Sequence, residues 1–401
     1  MNINLEIILN NSGRLIAMTK LFNVLMSCFL TASMLTLSSC GGGGASSGGS
    51  GSSSPGVVVG TLFSATETTG AGQIEAQDLY SNGSVGTASV VATYCSGNID
   101  HGIVADTTVS PGTTYLYSLC HQSSRIVGWS VPTGSAPSTL LTEVVSPMTT
   151  ATGPIQMTLT PDGKFLFVAG DPGIAVYSVG TNGSLTSYNP GITISNPVWG
   201  IAVSPSGKYL ILAEASGGSP VMAEYAISYP SGILTQVGSN VSVPDVGVAG
   251  LYPAPNTNSG DLLVYSSGSN TSPYVAVITA GSTWGSGNIV QQSLPGGGNA
   301  SFGSPTLSVS ESSLYIGANG VSGICNGQGV LYQYPVGTNG SSIGGSPTYT
   351  CGMVGSWGYP VAYDGTDNLL IDLSSFSVGG QTPAYIGVAN TGGSYGQVFV
   401  K

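Results

Sequence analysis

The sequence predicts an all-β chain that folds as a seven-bladed β-propeller of four-stranded antiparallel blades. Three observations predict this fold. A strand–turn–strand segment recurs along residues 57–401, a second hairpin follows most copies, and successive turns are separated by roughly 45–55 residues. Four strands at that spacing are typical of a propeller blade. Dividing roughly 345 residues by a period of about 49 residues gives seven blades.

The first hairpin is clearest in two segments, which read IQMTLTPDGKFLFVA at residues 155–169 and WGIAVSPSGKYLILA at residues 199–213. Each places a Pro-x-Gly turn between runs of apolar, β-branched and aromatic residues, which predicts two strands joined by a tight turn. Weaker or degenerate copies occupy residues 106–118, 251–265, 306–317 and 361–373.

The second hairpin carries Asn-Gly between apolar flanks, which is the strongest short-range hairpin signal. Its copies lie at residues 76–85, 175–186 and 331–342, and at residues 223–235 with Pro-Ser-Gly at the turn. A β-sandwich would not repeat the same motif at a fixed period, and a solenoid has shorter repeats. Blade 1 shows no obvious inner strand, and the C-terminal residues 397–401 are the candidate that pairs nearby and closes the ring.

Residues 1–39 are interpreted as an export signal. Lys20 precedes an apolar run at residues 21–37, which is shorter than the ~20 residues that span a bilayer comfortably. The run ends in Leu-Ser-Ser-Cys, which resembles a bacterial lipobox, so we expect lipidation at Cys40. Met18 would be a more usual start, so residues 1–17 are interpreted as an over-extended gene start or a long leader.

Residues 40–56 are expected to form the lipidated cysteine and a flexible Gly/Ser tether, which holds the folded domain at residues 57–401 away from the membrane. Position 41 is Gly rather than the Asp that often marks inner-membrane lipoproteins. The expected location is therefore the cell envelope, lipid-anchored at the outer membrane on its periplasmic or surface face, with the membrane as one partner.

Charge is scarce, since only 6% of the residues are charged. Beyond the signal the chain has four basic residues and sixteen acids, a formal net charge of −12. Nucleic-acid binding is excluded because phosphate neutralisation needs a basic patch. A strongly phosphorylated substrate is also disfavoured by this negative field.

Four cysteines follow the signal region, which in an exported protein predicts two disulfides. Of the three possible pairings we favour Cys95–Cys120 and Cys325–Cys351, because each closes a loop of about 25 residues that we assign to one repeat. A zinc site made of Cys95, His101, Cys120 and His121 matches no standard spacing. We therefore expect no metal and no cofactor.

The Ser/Thr-Pro-x-Gly-Lys-Tyr/Phe-Leu segments with their Asn-Gly-Ser-Leu-Thr hairpin resemble the lactonase-like, YVTN-type family of seven-bladed propellers, which includes 6-phosphogluconolactonases. The resemblance covers most of residues 57–401 and is sharpest over the segments at 155–169 and 199–213. It implies the propeller fold. It also implies that catalysis, where present, would use His, Glu and Arg side chains around the central channel.

Propeller ligands usually bind at the funnel of the channel, where the loops that lead into the innermost strands converge. Asp100 with His101 is the candidate acid/base pair for hydrolysis. Arg125 follows the strand pair of blade 2, and we expect it between strands on the outer part of that blade. The remaining candidates are aromatic, amide and carboxylate groups that suit a neutral polar ligand, namely Gln156, Asn196, Trp199, Asp245, Trp357 and Tyr359.

Two functions remain open at this point. The favoured hypothesis is a non-catalytic envelope lipoprotein whose propeller binds a glycan, a peptide or a partner protein. The alternative is a lactonase-like hydrolase that acts on a weakly charged lactone. The scarcity of basic and histidine side chains favours binding.

Overall fold

The structure is a computed structural model. It describes residues 57–68, 71–80, 86–96, 103–131, 140–216, 219–246, 250–254, 261–267, 273–295, 301–308, 310–319, 325, 329–353, 361–363, 370–372 and 394–400. The predicted signal, Cys40 and the tether lie outside these residues. Within the described ranges, the helices are too short and too polar to cross a membrane.

The strands of blades 1 to 4 follow in chain order. Blade 1 contains β1 (Val58–Thr68), β2 (Ala71–Tyr80) and β3 (Ser89–Ser96), and blade 2 contains β4 (Ile103–Asp106), β5 (Thr114–Cys120), β6 (Arg125–Val131) and β7 (Thr142–Thr149). Blade 3 contains β8 (Met157–Leu159), β9 (Phe165–Ala169), β10 (Ile174–Val179) and β11 (Leu185–Tyr188). Blade 4 contains β12 (Val198–Val203), β13 (Tyr209–Ser216), β14 (Ser219–Ser228) and β15 (Ile233–Ser242).

Blades 5 and 6 likewise contain four consecutive strands each. Blade 5 contains β16 (Leu251–Pro253), β17 (Asp261–Ser266), β18 (Tyr274–Ala280) and β19 (Ile289–Ser293), and blade 6 contains β20 (Ser301–Leu307), β21 (Ser313–Asn319), β22 (Gly329–Pro335) and β23 (Thr348–Met353). Among the described residues, blade 7 contains β24 (Val361–Tyr363) and β25 (Leu370–Asp372), and β26 (Ser394–Val400) is the last strand. Short 3-10 turns occur at Ser286–Asn288 and Thr338–Gly340.

Each blade is an antiparallel sheet, and the seven sheets confirm the predicted propeller. The first strands of blades 2 to 7 contact one another in turn and form the inner ring. The missing inner strand of blade 1 is β26, which pairs with β1 from Thr61↔Val400 to Thr66↔Ser394 and contacts both β4 and β24. The two ends of the propeller chain therefore share one sheet and close the ring.

The tight turns of the first hairpin repeat in atomic detail. In blade 3, Gly163 N–H donates to the Thr160 carbonyl at 2.8 Å, and Thr160 Oγ1 accepts from Phe165 N–H at 3.1 Å. Ser204 makes the same two contacts in blade 4, with Gly207 N–H and with Tyr209 N–H. A Ser or Thr before the turn thus caps the strand that follows it.

The hydrophobic core lies between blades. Buried apolar side chains of the described residues form five clusters, each shared mainly by two neighbouring blades from blade 1 to blade 6. Strand β9 is buried at all five positions because both of its faces meet a neighbouring blade. Because burial occurs at these seams, each blade depends on its neighbours for stability.

Both predicted disulfides are present, with sequence separations of 25 and 26 residues. Cys325–Cys351 lies within blade 6 as expected. The expectation that Cys95–Cys120 lies within one repeat is wrong, because Cys95 belongs to the outer strand of blade 1 and Cys120 to the second strand of blade 2. The reason is the closure by β26, which moves the blade boundary relative to the sequence repeat.

Candidate functional site

The candidate site lies at the mouth face, defined here as the end of the propeller where the chain enters the inner strands of the blades. The loops before β8, β12 and β16 reach this face, and so do the turns that join the second and third strands of each blade. Four predicted ligand residues lie at this end: Gln156, Asn196, Trp199 and Asp245. Asp100, His101, Trp357 and Tyr359 lie outside the described residues.

Hydrogen bonds between blades hold the mouth face of blades 2 to 4. Gly153 N–H donates to Ser124 Oγ at 3.1 Å, which joins blade 3 to the hairpin of blade 2. Asp171 N–H donates to the Thr152 carbonyl at 2.7 Å. The hairpin of blade 3 is joined in turn to the loop of blade 4, because Gly173 N–H donates to the Asn196 carbonyl at 2.9 Å. This part of the mouth face is therefore preformed rather than assembled by a ligand.

The most distinctive polar pair at the mouth face is formed by Asn196 and Glu214. Asn196 Nδ2 donates to Glu214 Oε2 at 3.0 Å. Glu214 lies near the end of strand β13 and is only 3% exposed. Its second oxygen, Oε1, has no hydrogen-bond partner among the described residues. A buried carboxylate oxygen without a partner is costly, so this atom is a strong acceptor for a donor supplied by a ligand.

Glu214 did not emerge from the sequence, because a single acid at the end of an apolar strand follows no motif. The signal that could have identified it is that charged residue itself. In the segment LILAEA at residues 210–215, all residues except the glutamate are apolar. An acid in such a segment is buried only when it has a partner or a function.

Trp199 and Asp245 lie at the same end of the propeller as this pair, Trp199 at the start of β12 and Asp245 in the loop before β16. Trp199 is half-buried and packs against the core cluster between blades 4 and 5, so its ring is only partly available to a ligand. The backbone of Asp245 is fixed because its carbonyl accepts a hydrogen bond from Tyr274 Oη at 2.9 Å. Both side chains remain ligand candidates by position.

His121 and Arg125 also lie at the mouth face, in the hairpin of blade 2. His121 Nδ1 is 3.1 Å from the Pro154 carbonyl, which places the ring against the loop that leads into blade 3. Arg125 begins β6, the third strand of blade 2, and pairs with Cys120 of β5 and Thr149 of β7, so it lies between strands on the outer half of its blade as expected, and its side chain is exposed. Cys95 and Cys120 are bonded to each other, so neither sulfur is available as a metal-binding thiolate with His121.

Gln156, the first residue before β8, uses its whole amide within the protein. Nε2 donates to the Leu251 carbonyl at 2.7 Å. Oε1 accepts from Ile201 N–H at 3.1 Å and from Leu251 N–H at 3.3 Å. The structure therefore places this predicted ligand residue at the mouth of the channel, with its polar atoms engaged by the backbone of blades 4 and 5.

Comparisons with known proteins agree with the fold. Residues 106–249 match the family model described as Lactonase, 7-bladed beta-propeller, which confirms the resemblance to lactonase-like propellers over that segment. No curated protein matches the chain in sequence.

Solved structures similar to this chain include proteins described as candidate 6-phosphogluconolactonases from Bacteroides fragilis and Bacteroides uniformis. Each is 13% identical with a TM-score of 0.59 over 85% of this chain, and covers 98% and 99% of the respective relative. A Lactobacillus plantarum protein is similar at 12% identity and a TM-score of 0.57, over 85% of this chain and 99% of its own. At these identities the likeness shows the fold alone.

Proposed function

We propose that this chain is a lipid-anchored envelope protein whose propeller binds a neutral, hydroxyl-rich molecule, a sugar or sugar lactone, at the mouth face. The observation that carries the proposal is the Asn196–Glu214 pair, in which a buried carboxylate presents an oxygen without a partner among the described residues. A carboxylate oxygen accepts hydrogen bonds and so selects a donor, which a sugar hydroxyl provides.

Charge and aromatic content narrow the ligand further. The formal net charge of −12 beyond the signal disfavours anionic ligands such as sugar phosphates. Trp199 lies three residues after Asn196 on the adjoining strand and offers part of a ring face for the apolar side of a sugar. The cross-blade hydrogen bonds of blades 2 to 4 favour a small rigid ligand over a segment that folds on binding.

Binding is tested by calorimetric titration of the detergent-solubilised full chain with neutral oligosaccharides and gluconolactone. Glu214→Gln keeps the size of the side chain and removes its charge, and we expect it to weaken binding by about tenfold or more, as for loss of a charged hydrogen bond. Glu143→Gln is the matched control, because Glu143 is exposed in β7. Binding unchanged in Glu214→Gln, or confined to peptides, would refute the proposal.

Hydrolysis of a neutral lactone is the second candidate function. Two observations favour it: the family match over residues 106–249, and the presence of His121, Arg125 and Glu214 at the same end of the propeller. The resembling family uses these three residue types. A base that activates water and a cation that stabilises the oxyanion would be required.

Turnover distinguishes the two functions. If the chain is a hydrolase, gluconolactone should open faster than its spontaneous rate, and this acceleration should be lost in His121→Ala or in His101→Ala. If the chain only binds its ligand, gluconolactone should bind saturably and still open at its spontaneous rate. That rate should be the same in both histidine variants. Turnover that survives both histidine substitutions would assign catalysis elsewhere and contradict this version of the hydrolase.

A further inference from the structure

We propose that Gln156 is the positioning residue of the mouth face: its amide joins the inner strands of blades 3, 4 and 5 and fixes the strand next to the candidate ligand-binding residues. The proposal deepens the proposed function and rests on it, because it states what holds Trp199 and Glu214 in place.

The side-chain amide of Gln156 makes hydrogen bonds of the kind that a backbone amide makes in a sheet. It donates to the Leu251 carbonyl at 2.7 Å and accepts from Leu251 N–H at 3.3 Å, the two bonds that a neighbouring strand would make. The same oxygen accepts from Ile201 N–H at 3.1 Å. Gln156 is 5% exposed, so these bonds are shielded from water and none of its polar atoms is left for a ligand.

A glycine allows this bridge to form. A Cβ atom on Gly200 would lie 3.3 Å from Leu251 Cβ and 3.3 Å from Ala213 Cβ, tighter than most contacts. Without that atom, β16 approaches β12 closely, and the backbone of Leu251 comes within reach of a side chain from blade 3. Gly200 lies directly between Trp199 and Ile201, so the mouth-face tryptophan and the bridged amide are neighbours in sequence.

The bridge has one consequence for a ligand. The position of β12 depends on the bridge, because Ile201 N–H of this strand donates to Gln156 Oε1. Because Val198 of this strand pairs with Glu214, the bridge fixes the position of the carboxylate that selects the ligand.

Gln156→Met in the full chain tests the proposal, since methionine keeps the length of the side chain and removes all three hydrogen bonds. Thr158→Val is the matched control, because Thr158 Oγ1 accepts one bond from Val203 N–H at 3.3 Å and so joins blade 3 to blade 4 without reaching blade 5. We expect the amide protons of Ile201 and Leu251 to exchange about tenfold faster or more in Gln156→Met, as for loss of a buried hydrogen bond. In Thr158→Val only Val203 should exchange faster.

Titration with gluconolactone supplies the second readout. Gln156→Met should weaken binding at least tenfold more than Thr158→Val does when both variants are compared at equal fractions folded. Unchanged exchange at Ile201 and Leu251 would overturn the bridge, and equal losses of affinity in the two variants would overturn the positioning role. If wild type binds no gluconolactone, the proposed function fails for this probe while the exchange data still decide the bridge.

Discussion

Glu224 shows how burial changes a single side chain in this fold. It lies in β14, is completely buried, and its two carboxylate oxygens accept from Gly281 N–H of blade 5 at 3.3 and 3.2 Å. The pKa of this carboxyl is raised to about 7, mainly by burial; the Gly281 hydrogen bonds lower it and the nearby Asp261 carboxylate raises it, with smaller effects than burial. Asp261 itself is held by Ser206 of blade 4.

This pKa predicts a stability that falls as pH rises. The unfolded carboxyl titrates near 4.5 and the folded one near 7, so between these values the folded chain retains a proton that the unfolded chain has lost. The contribution of this carboxyl to the free energy of unfolding is therefore largest below pH 4.5, decreases between pH 4.5 and pH 7, and is constant above pH 7. The neutral side chain of Glu224→Gln should remove this decrease in the free energy of unfolding, which amounts to as much as about 3 kcal/mol.

Urea unfolding at pH 4 and pH 8 measures the effect. The free energy of unfolding of Glu224→Gln relative to wild type should be higher at pH 8 than at pH 4 by that amount. Glu143→Gln, an exposed acid, should show little difference between the two pH values. A difference between Glu224→Gln and wild type that does not change with pH would contradict the assignment.

The sequence could place some site residues and not others for physical reasons. Asn196 and Trp199 were found because a repeating turn motif fixes where each inner strand starts, and hence which loop reaches the mouth face. The role of Gln156 was not readable, because its partners lie 45 and 95 residues away and are backbone atoms. No side-chain pattern marks such a contact.

At the scale of the element, the second hairpin depends on its glycine. Gly183 of the blade 3 hairpin has φ of 75°, and a Cβ there would lie 2.3 Å from the Tyr115 ring of blade 2. Tyr117 Oη also donates to the Gly183 carbonyl at 2.9 Å. The turn is therefore both a left-handed backbone position and part of the seam between two blades.

Gly183→Ala should consequently destabilise the protein by about 2–4 kcal/mol, the sum of the left-handed backbone cost and overpacking. Thermal or urea unfolding measures the loss. Gly345→Ala is the control, since the space around Gly345 is open and its backbone is not in the left-handed region. Equal stability of the two variants would show that the seam adapts to a methyl group.

The first hairpin shows why the repeat was only partly visible in the sequence. In blade 6 the same turn is present, with Glu311 N–H donating to the Ser308 carbonyl at 2.8 Å and Ser308 Oγ accepting from Ser313 N–H at 3.1 Å. Glu311 replaces the glycine at a φ of 55° and is buried. The backbone pattern is retained while its most recognisable residue is lost, so the motif is degenerate although the turn is not.

At the scale of the whole molecule, the ring is closed by β26. Local patterns predicted the blades and named the C-terminal residues 397–401 as the candidate that closes the ring at blade 1, and the pairing of β26 with β1 confirms that closure. They did not give the full extent of β26, because the pairing joins the two far ends of the propeller sequence. Deletion of residues 394–401 removes the pairing from Thr61 to Thr66 and uncovers β1. We expect a loss of several kcal/mol, and hence a melting temperature lower by roughly 10 °C or more.

The melting temperature and the monomer fraction on size exclusion check this prediction. Deletion of Lys401 alone is the control, since β26 ends at Val400. The longer deletion should also aggregate, because it exposes an unpaired strand edge on β1. A fully monomeric product with unchanged melting temperature would show that the other blades hold the ring without this strand.

The last prediction concerns the anchor that we propose at Cys40. Each acyl chain contributes about 0.8 kcal/mol per buried CH₂, so two chains hold a protein stably while one does not. Cys40→Ala should abolish labelling by radioactive palmitate and move the protein from the membrane pellet to the soluble fraction.

Cys28→Ala, within the apolar run, should change neither result. Retention of unlabelled Cys40→Ala in the pellet would instead identify residues 21–37 as an uncleaved membrane anchor, because only that run is apolar enough to replace the lipid.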